Sequence, residues 1–499
     1  MNRAEKFNKA LQYFFLIAAI AAIGIFVIVW VGAALAGAGI ASTITSVFLL
    51  YMLLSAAAIL ITRRFAPPVY IQLCILIILT LLFQMVFSLN VYMDFDGDFM
   101  FYYSTAIGLR YEGAEALGIY NAAFPGTITY PAILAAIMKL AGLEREAHVI
   151  LNHVIVALLS VSVYFILKRK MDGPWALAGG LLISMHPFFI IYSTVPNAEL
   201  MFGMLIIASF SAFLKALDFS GTRRGLLWTL ASAVLCGFTI FSRPLGIIYI
   251  IALFIYIFVF SRLGLREKLV SAALYMAMFI LFSSLNSHIV NVVTGYDAPS
   301  SSYGWNLYVG ASEDGQWNTS DGEEFAAAIE TFETPSELQK YFAQKAFERY
   351  REFNVGSFIL HSLKKLNPWI AGTHIANTAS RQFDYSPFFS ADSWGTYYAI
   401  ASLYDLVIMF FALAACIRML AAAVKGTAQA EITLVLYFIG SVMALMILEI
   451  ASRYTVSYRM IFCIFAAYEA QRACLYLSER RKPRKNPDKR LTKQQAGRR

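Results

Sequence analysis

From Leu11 to Ala36 the chain carries no charged side chain, and this is the first of about twelve predominantly apolar runs along it. A helix needs about 20 apolar residues to cross the hydrocarbon of a bilayer. Inside the bilayer no water satisfies backbone N–H and C=O groups, so only helices and closed barrels cross it. Strand-length alternation is absent, which leaves helices. The apolar runs fall near 11–36, 43–62, 69–90, 148–167, 175–194, 198–217, 225–242, 245–261, 269–290, 397–417, 431–450 and 456–477. The first is too long for the apolar region of a signal peptide and lacks a convincing cleavage site, so it is expected to be a true span.

Composition agrees. Of 499 residues, 59% are hydrophobic and 14% charged, against about 25% charged in soluble proteins. The fold class expected is an all-α polytopic membrane protein with about twelve transmembrane helices and two extracytoplasmic loop regions containing short interfacial helices. Cys74, Cys236, Cys416, Cys463 and Cys474 all lie in apolar segments without a CxxC pair. They are read as small core residues, forming neither disulfides nor a metal site.

The net charge of +9 is concentrated at one end. Glu479 to Arg499 holds ten Lys/Arg against Glu479 and Asp488, a net of +8. A basic tail next to a membrane helix fixes topology and meets anionic headgroups. Nucleic-acid binding is disfavoured, because no aromatic residue interleaves with these charges. With the N-terminus in the cytoplasm, the short loops carrying Arg63, Arg64, Lys168–Lys170, Lys215, Arg223, Arg224, Arg262, Arg266, Lys268, Arg418 and Lys425 all fall inside, as the positive-inside rule requires. The short outer turns then hold only Arg243 and Arg453.

The resulting division is an N-terminal hairpin (1–68), a membrane module (69–290) with a first outer loop (91–147), a second outer region (291–396), C-terminal helices (397–478) and a cytoplasmic tail (479–499). The two outer regions hold twenty Asp/Glu and ten Lys/Arg. Within them, Phe99–Tyr111 and Tyr130–Leu140 read as amphipathic helices at the interface. Phe325–Phe353 reads as a helical pair broken at Pro335, and Val355–Trp369 as an interfacial helix.

Four local features carry chemistry. Asp94-Phe-Asp96-Gly-Asp98 places three carboxylates where the chain leaves the third span. They repel one another and need a cation, a substrate hydroxyl or open water. An EF-hand is excluded, because its twelfth position would be Thr105. A solvated turn with Asp98 capping a helix explains the cluster equally well. Pro196-Asn-Ala-Glu199 puts a carboxylate at a helix start in a short outer turn; alone, it is ordinary capping. Ser242-Arg243-Pro244 and Ser452-Arg453-Tyr454 set arginines on the outer face. Snorkelling to headgroups accounts for them, as does bidentate capture of a lipid phosphate. Carboxylates for a hydroxyl and guanidiniums for a phosphate on one face suggest transfer from a lipid phosphate. His186, His288, His361 and His374 lack ligand spacing and read as structural. No Walker loop, dinucleotide fingerprint or nucleophile elbow is present.

In order and sidedness these motifs resemble the C superfamily of integral-membrane glycosyltransferases, on the branch of bacterial protein O-mannosyltransferases and aminoarabinose transferases. The pattern Asp-(Glu)-x-x-Tyr-x-x-x-Ala is matched by Asp98 to Ala106, with Phe99 in place of the second acid and Tyr102 in register. Tyr130-Pro131, Pro196 to Glu199, Arg243-Pro244 and Arg453-Tyr454 follow, and Gly304 to Gly310 and Lys365 to Trp369 are similar in the second loop. The likeness spans roughly Phe87 to Ala473, with the first two spans as an added hairpin.

The resemblance implies a polyprenyl-phosphate-linked sugar as donor and an inverting displacement on the extracytoplasmic face. It implies Asp98 as general base, with Glu199 positioning the acceptor or sharing its proton. Arg243 and Arg453 would take the leaving phosphate, and Asp94, Asp96, Tyr102, Tyr130 and Lys365 would contact substrate. Loss of the second acid leaves open whether Asp94 or Asp96 substitutes for it, and whether Asp96 and Asp98 hold a divalent metal. The acceptor, whether protein, lipid or wall polymer, is not specified. The competing readings are a transporter or flippase with midplane ionisable groups, a cell-surface glycan polymerase or ligase, and a silent scaffold.

Overall fold

The computed structural model describes residues 40–89, 95, 97–297, 299, 302–370 and 391–480. The first apolar run, Asp94, Asp96, His374 and the basic tail beyond Arg480 lie outside the described residues. The protein is all-helical. In chain order the helices are α1 (Ile40–Phe65), α2 (Val69–Ser88), α3 (Gly97–Tyr111), α4 (Ile119–Ala123), α5 (Thr129–Ala141), α6 (Ala147–Lys168), α7 (Gly173–Ser184), α8 (Pro187–Tyr192), α9 (Glu199–Asp218), α10 (Arg223–Phe238), α11 (Gly246–Ile255), α12 (Leu265–Thr294), α13 (Tyr303–Gly310), α14 (Thr319–Thr331), α15 (Pro335–Arg351), α16 (Val355–Ile370), α17 (Ala391–Val424), α18 (Ile432–Leu445) and α19 (Val456–Arg480).

Among the described residues eight helices are long and apolar enough to cross a membrane, and three shorter apolar helices accompany them. These eleven coincide with the expected runs from 43–62 onward. Three runs differ in form. The 175–194 run is broken into α7 and α8, because Pro187 has no N–H to continue the ladder. His186 caps the new start, its Nδ1 accepting from Phe188 N at 3.2 Å. The 245–261 run finishes as a π-turn over Tyr256–Phe260. The 431–450 run stops at Leu445, which frees Met446–Ala451 to become irregular chain next to the site described below.

Small residues let the spans approach closely, as packing in lipid requires where the hydrophobic effect no longer joins helices. A Cβ on Gly180 would meet Leu76 at 2.8 Å, and one on Gly203 would meet Met460 Sδ at 2.5 Å. Buried hydroxyls add interhelical bonds: Thr80 to Ser184 at 2.6 Å, and Ser232 to Tyr275 at 2.7 Å.

The second long polar region forms a separate aromatic core. Trp305, Tyr308, Phe325, Leu338 and Phe342 are buried together over Ala123. As expected, a break precedes Pro335: α15 starts there with Thr334 capping Glu337 N at 3.2 Å. The segment is fastened to the membrane bundle through backbone. Glu449 N donates to Asn306 O at 2.7 Å, and Ile450 N to Gly315 O at 2.8 Å. Gly310 is required at this junction, since a Cβ there would lie 2.3 Å from Ile447 O.

Candidate active site

At one end of the bundle, where α3, α9, α11 and α19 begin, lies a cavity of about 950 Å³, at the upper end of the size of small-ligand pockets. Asp98, Arg243, Glu449 and Arg453 are the charged residues that line it. Asp98 belongs to the first turn of α3 and is not its cap, because the helix already begins at Gly97, whose φ of +52° a glycine adopts without strain. The Asp98 carboxylate accepts from Arg453 at 2.6 Å.

Glu199 sits at the start of α9, at the end of a turn that is buried throughout. This short turn between two spans is therefore packed inside the protein. Its carbonyls are claimed by buried amides: Asn152 Nδ2 donates to Val195 O at 2.8 Å, and Asn197 Nδ2 to the same oxygen at 2.8 Å. His148 bonds Thr194 O at 2.9 Å. The Glu199 side chain is 4% exposed; its Oε1 pairs with Arg243 and lies 3.3 Å from Arg453 Nε. Glu199 does not line the cavity but stands behind the two guanidiniums. Arg243, fixed by its own N–H to Thr239 O at 2.9 Å, also reaches the Tyr102 hydroxyl at 3.4 Å. The ring of Tyr454 lies between the arginines, 5.1 Å from one guanidinium carbon and 5.2 Å from the other.

Tyr102 lines the cavity, and burial, only partly opposed by Arg243, lifts its hydroxyl above the ordinary tyrosine value. It therefore stays protonated and able to donate. Tyr130 is displaced from its expected place. It is fully buried, donates to Asn152 at 3.0 Å, and packs behind Tyr102 with ring centroids 5.8 Å apart. Lys365 likewise does not line the cavity. Its ammonium donates to Gly310 O (2.6 Å), Met446 O (3.2 Å) and Leu448 O (2.9 Å). Burial pulls this amine down to about 7, with Glu449 and Asp314 opposing, while three carbonyl acceptors match the three N–H of the charged form. Lys365 thus braces the 446–451 segment from behind, joined by Tyr350, whose hydroxyl donates to Ile447 O. Among the described residues no group of three or more His, Cys, Asp or Glu is placed to hold a metal, and Asp98 has Arg453 as its partner.

The sequence reading passed over Glu449. It lies beyond the end of α18, is 9% exposed, and accepts from Tyr454 at 3.2 Å. Burial raises its carboxyl above the usual range, with Arg453 opposing. The signal that marks it is a lone acid at the end of an apolar run, four residues before Arg453. The second long polar region completes the lining with Trp305 and Asn306, from the Gly304–Gly310 stretch marked in the sequence, and with Trp317, which no motif marks. Away from the cavity, His186 stands 3.1 Å from Asp405, which pairs with Arg459 at 3.1 Å. Asp405 lies inside the 397–417 run, so this cluster is held between spans and not at their ends. The cluster ties α17 and α19 to the break between α7 and α8. His361, as expected, is structural, bridging Gly310 O at 2.9 Å and Glu313 O at 3.3 Å.

Residues 126–288, about a third of the chain, match the family model of dolichyl-phosphate-mannose-protein mannosyltransferases. The matched stretch holds Tyr130, Glu199 and Arg243. Among solved structures, the apo oligosaccharyltransferase of Archaeoglobus fulgidus aligns at 14% identity and a TM-score of 0.48, covering 81% of this chain and 51% of that one. The same archaeal enzyme with an inhibitory peptide and a dolichol-phosphate aligns at 12% identity and a TM-score of 0.47, covering 82% and 52%. ArnT of Cupriavidus metallidurans bound to undecaprenyl phosphate aligns at 13% identity and a TM-score of 0.37, covering 80% and 77%. The chain spans about half the length of the archaeal oligosaccharyltransferase. No curated protein matches it. The family match bears out the resemblance to membrane glycosyltransferases that the motif order implied.

Proposed function

We propose that this membrane glycosyltransferase moves a sugar from a polyprenyl phosphate to an acceptor hydroxyl, with inversion, in the cavity bounded by Asp98, Arg243 and Arg453. One observation carries the reading: two guanidiniums on the wall of the cavity are held by a buried carboxylate behind them, with Asp98 beside them in the same cavity. Guanidiniums suit the two non-bridging oxygens of a phosphate. Buried Ser242 Oγ and Arg243 Nε have no hydrogen-bond partner among the described residues, and Ser242 lines the cavity. Such donors cost about 1–3 kcal/mol each when left unmade, which a phosphate oxygen would offset.

The acceptor oxygen attacks the anomeric carbon from the face opposite the phosphate. The new C–O bond forms as the bond to phosphate breaks, and the configuration inverts. Asp98 takes the hydroxyl proton. The electron pair leaves on the phosphate oxygen, where Arg243 and Arg453 stabilise the growing charge. Phosphate binding draws Arg453 away from Asp98, freeing the carboxylate for the proton as the donor arrives. The lipid tail would lie along the apolar spans. The ArnT structure bound to undecaprenyl phosphate and the mannosyltransferase family's description suggest a donor of this kind.

The cavity is assigned to the extracytoplasmic side. The opposite ends of the spans hold Lys170 paired with Glu431 at 2.6 Å and Arg169 with Asp218 at 2.8 Å, amid the basic loops that the positive-inside rule puts in the cytoplasm. Both termini then face the cytoplasm, and the division at 68, 290, 396 and 478 separates hairpin, module, outer segment and C-terminal helices. The test is Asp98→Asn in proteoliposomes. Turnover should vanish while undecaprenyl-phosphate binding and thermal unfolding persist; full turnover would remove the base assignment.

A further inference from the structure

The cavity has two chemically different halves. One holds its charges: Asp98, Arg243, Arg453 and Glu449. The other is formed by the second outer region and presents Tyr303, Trp305, Asn306, Gln316 and Trp317, none charged. We infer that this second half is the acceptor subsite and that it takes a neutral saccharide, with a pyranose ring laid on the Trp317 indole and its hydroxyls directed to Glu449. The inference rests on the glycosyl-transfer reading above and names the acceptor class that reading leaves open.

Trp317 is 57% exposed yet fixed in orientation. A Cβ on Gly322 would meet its Cζ2 at 2.8 Å and its Cε2 at 3.4 Å, so the indole rests against a glycine where a larger residue would displace it. The turn that carries it is rigid. Gln316 N donates to Asp314 at 3.0 Å, and Ser312 Oγ to Gln316 O at 3.0 Å. A large apolar ring held open to water at a cavity mouth is costly unless something covers it, and an aromatic face suits the axial C–H face of a sugar.

The second element is joined to the first by backbone. Gly315, two residues before Trp317, accepts from Ile450 N, and Asn306 accepts from Glu449 N. The ring and the carboxyl therefore belong to two segments bonded to each other, and Lys365 holds the junction from behind. A carboxyl oriented by Tyr454 suits vicinal sugar hydroxyls, whichever proton state it holds. A peptide would instead call for extended-backbone pairing or for charge. Among the described residues no strand edge lies at the cavity.

The full-length protein in nanodiscs is examined by saturation-transfer NMR with methyl glucoside, methyl mannoside and methyl N-acetylglucosaminide, and with a Ser/Thr-containing hexapeptide as control. At least one glycoside should show saturated ring C–H signals. The signal should be lost in Trp317→Ala, restored in Trp317→Phe, and weakened in Gly322→Ala, which pushes a methyl against the indole. Glu449→Gln should weaken binding about tenfold, equivalent to 1.4 kcal/mol. No glycoside signal, a signal indifferent to Trp317, or a Trp317-dependent peptide signal each overturns the inference. Undecaprenyl-phosphate binding is measured on the same samples. If the native protein does not bind it, the donor reading fails independently; if binding persists in the Trp317 variants, any loss of glycoside signal belongs to the subsite.

Discussion

Replacing Glu199 by glutamine removes the carboxylate that Arg243 and Arg453 share. At the 3.3 Å that separates Glu199 from Arg453 Nε, one unit-charge pair is worth about 5 kcal/mol at an effective dielectric of 20. Breaking a buried pair costs about 3–5 kcal/mol. Two facts lower the figure here. The arginine side chains are 20% and 24% exposed, and Arg453 keeps Asp98. A loss of about 2–4 kcal/mol follows. One kcal/mol shifts Tm by about 2–4 °C in domains of 150–250 residues and by less in longer chains, so the protein should melt several degrees earlier. Two guanidiniums no longer neutralised from behind are a stronger anion site. Added undecaprenyl phosphate should therefore raise the Tm of Glu199→Gln by at least as much as it raises that of the native protein. The assay is thermal unfolding in detergent with and without that lipid, alongside turnover. If the variant melts with the native protein yet loses all turnover, Glu199 acts on the proton and the positioning role is refuted.

Arg243→Ala should lower kcat by about 10²–10³, the cost of removing one oriented donor at a developing charge; an unchanged donor KM and kcat would return this arginine to headgroup snorkelling. Lys365→Met leaves three carbonyls of the Gly310 and 446–448 junction without their donor, at about 1–3 kcal/mol for each left unsatisfied. It should lower Tm and raise acceptor KM while sparing donor binding, as calorimetry and kinetics can separate. For Glu449 the native carboxyl sits above its unfolded value. Between the two values the folded chain binds more protons, so stability falls as pH rises through that window. Glu449→Gln should flatten this part of the pH–stability curve, measured by denaturation from acid to neutral pH.

Particular residues show how far the sequence reaches. Asp98, Arg243 and Arg453 stand out in the sequence because each breaks an expected pattern: acids clustered against mutual repulsion, and cations in turns that the positive-inside reading expects to lack them. The family resemblance implies substrate contacts for Tyr130 and Lys365, yet they bond to an amide and to carbonyls behind the cavity wall. Spacing along a chain does not say which face of a helix a side chain takes. Glu449 was hidden inside an apolar run expected to continue to residue 450. The helix stops at Leu445, where the outer segment claims the backbone of the following residues.

Length and hydropathy alone settled that the chain crosses a membrane as helices, and where nearly every described span lies. Each apolar run must satisfy its own backbone in lipid, a constraint that acts locally. Tertiary structure decided that Glu199 lies behind two arginines, that the turn bearing it is buried, and that Trp317 and Glu449 line one cavity. Those relations join residues dozens to hundreds of positions apart, through ion pairs and backbone bonds that no local pattern encodes.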